Sequence, residues 1–371
     1  MSHAPFSGLE SSEPRRVVVA MSGGVDSSIA AALLKQAGHD VIGATLKLQE
    51  CHDAQGSRSC CGVDGIARAR EVAGQLDIRH YVIDCVREFE REILRPAWDE
   101  YSNGRTPSPC LICNERIKFG QLLTWSKRIG ASFVATGHYA RIEPIADGQH
   151  MLLRGLDTGK DQSYFLAGLT SRQLSALLFP IGHLTKAEVR NIGRSMGLST
   201  AETHDSQDAC LVAPGQSFAE MLRERFGAVM PEGVVINDTG DVIGQHKGIH
   251  HFTVGQRRGL GISYSSRLWV RAIRAADNTV VVTSREDALL SQRLAARGMN
   301  WLIPPPAGDD TFECQVQIRY QHRPAKATAT LRNDGAVALS FPKPVRAITP
   351  GQAAVFYDGD KVLGRGWIYA E

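Results

Sequence analysis

The sequence predicts an α/β chain in three parts: a parallel-sheet domain over residues 15–216, a small β-rich central domain over 217–284, and a C-terminal antiparallel β-barrel over 285–371. Three observations carry this. Apolar β-branched runs alternate with helical runs from residue 15 to 140, the pattern of βαβ units with right-handed crossovers and helices on both faces of a sheet. The first unit turns on a glycine pair, Ser22-Gly23-Gly24-Val25-Asp26-Ser27-Ser28. After about residue 216 the texture becomes glycine-rich and strand-like. Residues 311–371 then alternate between turn signals at Asn333-Asp334-Gly335 and Asp358-Gly359.

Taken in order, Arg16–Ala20 reads as a short buried strand. From Ser27 to Ala37, the residues Ile29, Ala30, Leu33, Leu34 and Ala37 share one helical face, and Gly38 follows as a C-cap. Val41–Leu46 supplies the second strand. A helix over 63–77, a strand over Arg79–Asp84, helices over 86–102 and 114–128, and a strand over Ser132–Thr136 continue the alternation. Arg141–Pro144 and His150–Arg154 form a hairpin around Asp147-Gly148. Thr185-Lys186-Ala187-Glu188 is a capping box that opens a helix running to Met196.

The bulk numbers narrow the class. A chain of 371 residues can bury a full core, and 43% hydrophobic with 22% charged residues is ordinary for a water-soluble globular protein. No stretch approaches the roughly 18 apolar residues of a membrane helix. The polar first sixteen residues show no secretory signal, so the expectation is a reducing cytoplasm and no membrane. Eight cysteines in that setting favour catalysis or metal binding over a disulfide framework. Cys51, Cys85 and Cys314 read mostly as plain small apolar residues. A net charge of +3 is too small to declare a nucleic-acid partner, so any such contact must come from local patches.

The Ser22–Ser28 loop is a phosphate cradle. Its glycines let the backbone approach an anion, and its hydroxyls and the free N–H groups of the helix start supply donors. No Gly-Lys-Ser/Thr follows, so it is not a Walker A loop. A second segment, Thr106-Pro107-Ser108-Pro109-Cys110-Leu111-Ile112-Cys113-Asn114, has two prolines that stiffen the approach to a Cys-x-x-Cys. A helix after Asn114 would hold Cys113 near its N-terminus, where the dipole favours thiolate. By itself this pair stands for a redox dithiol, half a metal site, or coincidence. Asp205-Ser206-Gln207-Asp208-Ala209-Cys210 offers a third thiol in a polar loop. Cys60-Cys61, near Cys51 and His52, chelates poorly as adjacent residues and reads as a loop with incidental thiols.

From about residue 16 onward the chain resembles the MnmA/TrmU-type tRNA 2-thiouridylases of the pyrophosphate-loop (PP-loop, adenine nucleotide alpha hydrolase-like) superfamily. The matching segments are the Ser22–Ser28 loop, Thr106–Asn114, Ala135-Thr136-Gly137-His138-Tyr139-Ala140-Arg141, Lys160-Asp161-Gln162-Ser163-Tyr164-Phe165-Leu166, Phe179-Pro180-Ile181-Gly182, Asp205–Cys210, and His246-Lys247-Gly248-Ile249-His250-His251-Phe252-Thr253-Val254-Gly255-Gln256-Arg257. The resemblance implies ATP-dependent replacement of the C2 oxygen of the wobble uridine by sulfur in tRNAs for lysine, glutamate and glutamine. It implies adenylation of that oxygen, with Mg²⁺ shared between phosphates. ATP contacts would fall at Ala20, Met21, Ser22, Gly23, Gly24, Val25, Asp26, Ser27, Leu46 and Gly137. Cys210 would carry a persulfide, Cys113 would be the other catalytic thiol, and their closure as a disulfide would release sulfur onto the base. A cysteine desulfurase or a sulfur-relay protein would be the donor. Another PP-loop tRNA thiolase or ligase is the same-class alternative, but it would lack the Asp205–Cys210 loop and the barrel motifs. A binder that has lost ATP chemistry would have no need of Gly23, Gly24, Asp26 and Ser27.

One departure matters. Many family members have Asn-Pro-Asp where this chain has Ser108-Pro109-Cys110, so any acid–base role for that aspartate is lost here. Cys110, Cys113 and Cys210 together would suit a [4Fe–4S] cluster with an open iron position, an alternative to persulfide chemistry without one. Ser108, Pro109 and Cys110 fall where the family surrounds the extruded base.

The implied tRNA contacts are His138, Lys160, Asp161, Gln162, Arg319, Tyr320 and Gln352. Independently, residues 315–346 carry Arg319, Arg323, Lys326, Arg332, Lys343 and Arg346 against Asp334 alone, a basic stretch suited to phosphate or to plain solvation. Tyr320 could stack on a base. His250 and His251 hint at metal, yet no carboxylate accompanies them in sequence, so a basic loop near RNA or structural histidines are the expected readings. A general-base role for His138 ranks lower, since its expected neighbours are nucleotide and RNA.

Overall fold

A computed structural model describes residues 14–50, 63–145, 148–203, 216–305 and 310–370. Cys51, His52, Cys60, Cys61 and the Asp205–Cys210 loop, with its expected persulfide carrier, lie outside the described residues. The chain divides into two compact units. The first comprises residues 1–92, 110–214 and 360–362; the second comprises 93–109, 215–359 and 363–371.

The first unit is built on a five-stranded parallel sheet. In chain order its strands are β1 (Arg16–Ala20), β2 (Asp40–Lys47), β3 (Arg79–Asp84), β4 (Phe133–Ala135) and, after the antiparallel hairpin β5 (Ala140–Pro144) and β6 (His150–Arg154), β7 (Leu177–Leu178). Their spatial order is β3-β2-β1-β4-β7. Strand β1 is central because Val17, Val18 and Val19 are fully buried, pairing with Val41–Gly43 on one side and Phe133–Ala135 on the other. Strand β7 escapes a sequence reading, because two residues are too few to show a period. Helix α1 (Val25–Gln36) buries Ile29, Ala30, Ala31, Ala32 and Leu34, and Gly38 follows it at φ +85° as the expected cap. Helix α2 spans Val63–Gln75. Thr185 caps the helix Lys186–Ser195 through the expected capping box with Glu188.

Residues 86–102 are helical as expected, with a π-helical turn at Glu90–Leu94. The next helix corrects the sequence reading. It begins at Pro109, not after Asn114, and runs through a π-turn at Cys113–Lys118 to Arg128. Proline is suited to a first helical position, where no N–H is needed. Asn114 lies within the helix, and its side-chain amide donates to the Phe165 carbonyl at 3.1 Å. Cys113 therefore sits inside the helix rather than ahead of it.

The second unit holds two β assemblies. Strands β8 (Gly233–Ile236), β9 (Val242–His246), β10 (Trp269–Arg274) and β11 (Thr279–Thr283) form a sheet in the order β10-β11-β8-β9 around Val235, Ile249, Phe252, Val270 and Val280. A short helix, Phe218–Arg225, capped by Ser217, precedes it; the sequence reading missed this helix. Strands β12 (Leu290–Trp301), β13 (Thr311–Gln317), β14 (Ala325–Leu331), β15 (Val337–Arg346), β16 (Ala353–Asp358) and β17 (Lys361–Tyr369) run in the order β12-β15-β14-β13-β16-β17. Pairing of Ala295–Arg297 with Trp367–Tyr369 closes them into a barrel. Closure removes the sheet edges and buries Val316, Ala327, Ala329, Leu339, Phe341 and Phe356 inside. No helix among the described residues is long and apolar enough to cross a membrane.

Candidate functional site

The reversal of strand order lies between β1 and β4, where the loops at their carboxyl ends face each other; this is where open α/β sheets bind ligands. The loop after β1 is Met21–Gly24. Met21 N–H donates to the Ala44 carbonyl at 2.8 Å, and the Thr45 hydroxyl donates to the Met21 carbonyl at 2.6 Å, so the loop leaves the sheet on a fixed course. Gly23 sits at φ +76°, and a Cβ there would overlap the Gly65 carbonyl oxygen at the start of α2. Ser22 N–H donates to Ser27 Oγ at 3.2 Å, while the Ser27 and Ser28 hydroxyls return to the Gly24 carbonyl at 3.1 and 2.9 Å. The first turn of α1 is thus bound to its own loop, and the remaining N–H groups of that turn have no intrahelical acceptor.

The loop after β4 closes the other side. A Cβ on Gly137 would stand 2.5 Å from the Asp26 carbonyl carbon and 2.6 Å from Ser27 N, so only glycine lets this backbone meet the helix start. Asp26 is held from two directions: Tyr139 Oη donates to Oδ1 at 2.8 Å, and Lys186 Nζ reaches Oδ1 and Oδ2 at 2.7 and 2.8 Å. Neither Tyr139 nor Lys186 was singled out from sequence. Leu46, next to last in β2, is buried, and Ala20 ends β1.

His138 follows Gly137 with its ring against Phe119 and Phe179 and its Nδ1 2.7 Å from Thr136 Oγ1. Burial, with Lys118 adding, pushes its pKa down to about 3, so the imidazole is neutral at physiological pH. Asp161 and Gln162 are engaged internally. Asp161 accepts from Arg154, from Gly155 N–H and from Ser163, and Gln162 Oε1 accepts from Tyr139 N–H at 3.0 Å. They fasten the hairpin to the loop that carries Gly137. Lys160 is half-buried in the turn before them.

The helix from Pro109 presents its thiols differently: Cys110 is exposed and Cys113 is buried. The π-turn that starts at Cys113 is tied down from residues 165–173. Gln173 Nε2 donates to the Glu115 carbonyl at 2.9 Å, and Gly168 packs where a Cβ would stand 2.6 Å from Leu111. Such turns inside helices recur at functional sites. Cys85 and Cys314 behave as expected: both are buried, and burial pushes their thiols up to about 11 and about 12.

In the second unit, Ser108 is buried and Pro109 half-buried. Gln352 Nε2 donates to the carbonyls of Thr106 and Pro107 at 3.1 and 2.9 Å, which brings it to the base of this loop. Arg319 Nη1 donates to the Arg346 carbonyl at 3.0 Å, and Tyr320 beside it is exposed. One expectation is overturned here. A carboxylate does accompany the paired histidines: Glu220, thirty residues upstream, lies with its Oε2 3.7 Å from His250 Nε2 and 3.8 Å from His251 Nε2. The helix that carries it was unrecognised in the sequence, so no spacing rule could pair them.

Comparison with known proteins gives three matches along the chain. Residues 15–214 match the tRNA methyl transferase HUP domain, 220–284 the tRNA methyl transferase PRC-barrel domain, and 291–368 the aminomethyltransferase beta-barrel domain. The chain is 44% identical over 361 residues to the tRNA-specific 2-thiouridylase MnmA of Geobacter metallireducens, covering 96% of this chain and 97% of that protein. It is 43% identical to the MnmA of Geotalea uraniireducens, covering 97% and 96%. Among solved structures, NMN synthetase from Francisella tularensis is similar over 58% of this chain and 78% of that one, at 16% identity and a TM-score of 0.33.

Proposed function

The chain belongs to the family of MnmA tRNA-specific 2-thiouridylases, and on that footing we propose that it converts the wobble uridine (position 34) of tRNAs for lysine, glutamate and glutamine to 2-thiouridine, using ATP. The reading is carried by one observation: a glycine-lined loop at the sheet's reversal point, closed by Gly137, with its helix-start N–H groups available to an anion. The donors suit a triphosphate through Ser22, Gly23, Gly24, Val25 and Ser27, with Ala20, Met21, Leu46 and Gly137 lining the nucleotide. Asp26 is the loop's one carboxylate, and both its oxygens face Lys186. A magnesium ion would therefore be held chiefly through the phosphates.

In this scheme the uridine O2 attacks the α-phosphorus of ATP and pyrophosphate leaves. The terminal sulfur of a Cys210 persulfide then attacks C2, and AMP leaves. The Cys113 thiolate attacks Cys210 Sγ, the persulfide S–S bond breaks, and sulfur stays on the base while a Cys113–Cys210 disulfide forms. A thiol reductant resets the pair, and a cysteine desulfurase or relay protein in the cytoplasm reloads Cys210. Ser108, Pro109 and Cys110 would surround the base. His138, Lys160, Asp161, Gln162, Arg319, Tyr320 and Gln352 would contact or position the tRNA anticodon stem-loop. Residues 15–216 would carry the chemistry, 217–284 and 285–371 the RNA. A [4Fe–4S] cluster on Cys110, Cys113 and Cys210 is the second reading, favoured by the Cys-x-x-Cys spacing. The opposite burial of Cys110 and Cys113 favours the persulfide route.

The test is tRNA-dependent pyrophosphate release together with mass spectrometry of the nucleosides. Formation of 2-thiouridine at position 34 in protein that holds no iron supports the persulfide reading. Pyrophosphate release without any thiolated base, given a persulfide donor, would overturn it.

A further inference from the structure

Three groups in the second unit converge without serving the chemistry above. Glu220 lies on the helix Phe218–Arg225, and His250 and His251 lie on the single turn Ile249–His251. One ligand atom from each lies within 4.8 Å of the others. The ring centroids of the two histidines are 4.0 Å apart.

Two of the polar atoms that meet here make no hydrogen bond among the described residues. The His250 side chain is wholly buried, and among the described residues neither of its ring nitrogens has a hydrogen-bond partner; Glu220 Oε2 is also buried and without a hydrogen bond, its polar neighbours here being the two histidine nitrogens. Buried polar atoms are nearly always paired, so His250 Nε2 and Glu220 Oε2, facing each other without a hydrogen bond among the described residues, call for an explanation. Local structure holds them there. Arg223 occupies the other carboxylate oxygen, Oε1, through both Nε and Nη2, which turns Oε2 toward the histidines. Gly248, at φ +130°, leaves room for the His250 ring; a Cβ there would stand 2.5 Å from its Nδ1 and Cε1. The Nδ1 edge of the ring thus lies close to the Gly248 backbone, and Nε2 faces Glu220.

The spacing suits a metal. Ligand atoms about 2.0–2.1 Å from zinc stand about 3.4 Å apart in a tetrahedron; the two separations from Glu220, 3.7 and 3.8 Å, need to close by a few tenths of an ångström, and the histidine pair, within 4.8 Å, needs to close by at most about 1.4 Å. We propose that Glu220, His250 and His251 bind one divalent transition-metal ion of the zinc type, with a fourth position left to solvent or to a ligand. Two imidazoles and a carboxylate select such an ion over magnesium or calcium, which prefer all-oxygen shells. Bound metal would pin the Phe218–Arg225 helix to the turn.

The probe is Co²⁺ or Zn²⁺ alone, added to full-length protein whose accessible thiols have been carboxamidomethylated. One equivalent of Co²⁺ should bind, with tetrahedral visible bands and no thiolate charge-transfer band, and Zn²⁺ should displace it. Trp98, whose ring centroid is 5.5 Å from that of His250, should report the ion by fluorescence quenching. His251→Ala and Glu220→Gln avoid the buried ring and should each weaken binding at least tenfold. Trp98→Phe should keep the binding and lose most of the quench. Failure of the unsubstituted chain to bind one equivalent would overturn the proposal. So would equal affinity in both ligand variants, or a full quench in Trp98→Phe.

Discussion

Lys186 Nζ closes on both carboxylate oxygens of Asp26, at 2.7 and 2.8 Å, across 160 residues of sequence. The lysine is the first residue of its helix and its side chain is 12% exposed, against 31% for the aspartate. Asp26 would otherwise place a bare negative charge beside the proposed phosphate site. Lys186→Met should therefore raise the KM for ATP about tenfold, equivalent to about 1.4 kcal/mol. Asp26→Asn in the same chain should recover part of that loss, because it removes the uncompensated charge. Steady-state pyrophosphate release for the four members of this double-mutant cycle measures the coupling.

Gly137→Ala tests the close approach of the second loop. The added methyl cannot move away, because its nearest neighbours, Asp26 C and Ser27 N, are backbone. Overpacking of this kind costs about 1–3 kcal/mol. The melting temperature should fall, and the KM for ATP should rise even where the variant is fully folded. An unchanged KM in folded Gly137→Ala would remove the loop from the nucleotide site.

These two cases show how much was legible. Hydrophobic period and glycine placement gave β1, α1, the hairpin and the capping box at Thr185, because each is decided by neighbours within a few residues. The Lys186–Asp26 pair and the Glu220–His250–His251 cluster depend on which loops the topology brings together, and no local pattern encodes that. The start of the helix at Pro109 was misjudged for the opposite reason. Two prolines in Thr106–Asn114 argue locally for a stiff, non-helical approach, but Pro109 itself takes the first helical position, where its missing N–H costs nothing.

The thiol scheme makes a sharp division. Cys113→Ser is close to isosteric at a buried position, so the fold should hold, while thiolation should drop about a thousandfold or more. Cys210→Ser should do the same, and tRNA affinity should stay within a few fold in both. Cys110→Asp, at an exposed position, should keep activity under the persulfide scheme and lose it if Cys110 ligates a cluster. Nucleoside mass spectrometry with an iron assay on the same preparations distinguishes the two.

Acid should weaken the fold through His138. Burial, then Lys118, holds its folded pKa at about 3, against about 6.5 in the unfolded chain. Between those values the unfolded state binds the extra proton, so stability rises with pH there. The His138 contribution should be flat above about pH 7 and should fall as pH drops below about 6.5. Burial likewise lowers His80 and His246, which add to the same slope. Urea midpoints measured from pH 7.5 to 5 should decline, and His138→Asn should make the decline shallower.

The basic barrel stretch is best tested through salt. Arg319 is half-buried, and its Nη1 is spent on the Arg346 carbonyl, which fixes the stem and directs the rest of the guanidinium. Arg346 in turn reaches Glu286 at 3.2 Å, so part of the local positive charge is already neutralised. If Arg319 contacts one phosphate, Arg319→Ala should weaken tRNA binding and reduce the slope of log K against log salt by about 0.7–0.9. Arg346→Ala, with its charge partly countered, should change that slope less. Binding titrations from 50 to 200 mM salt separate a phosphate contact from a merely structural arginine. A structural arginine would lower affinity at every salt concentration and leave the slope unchanged.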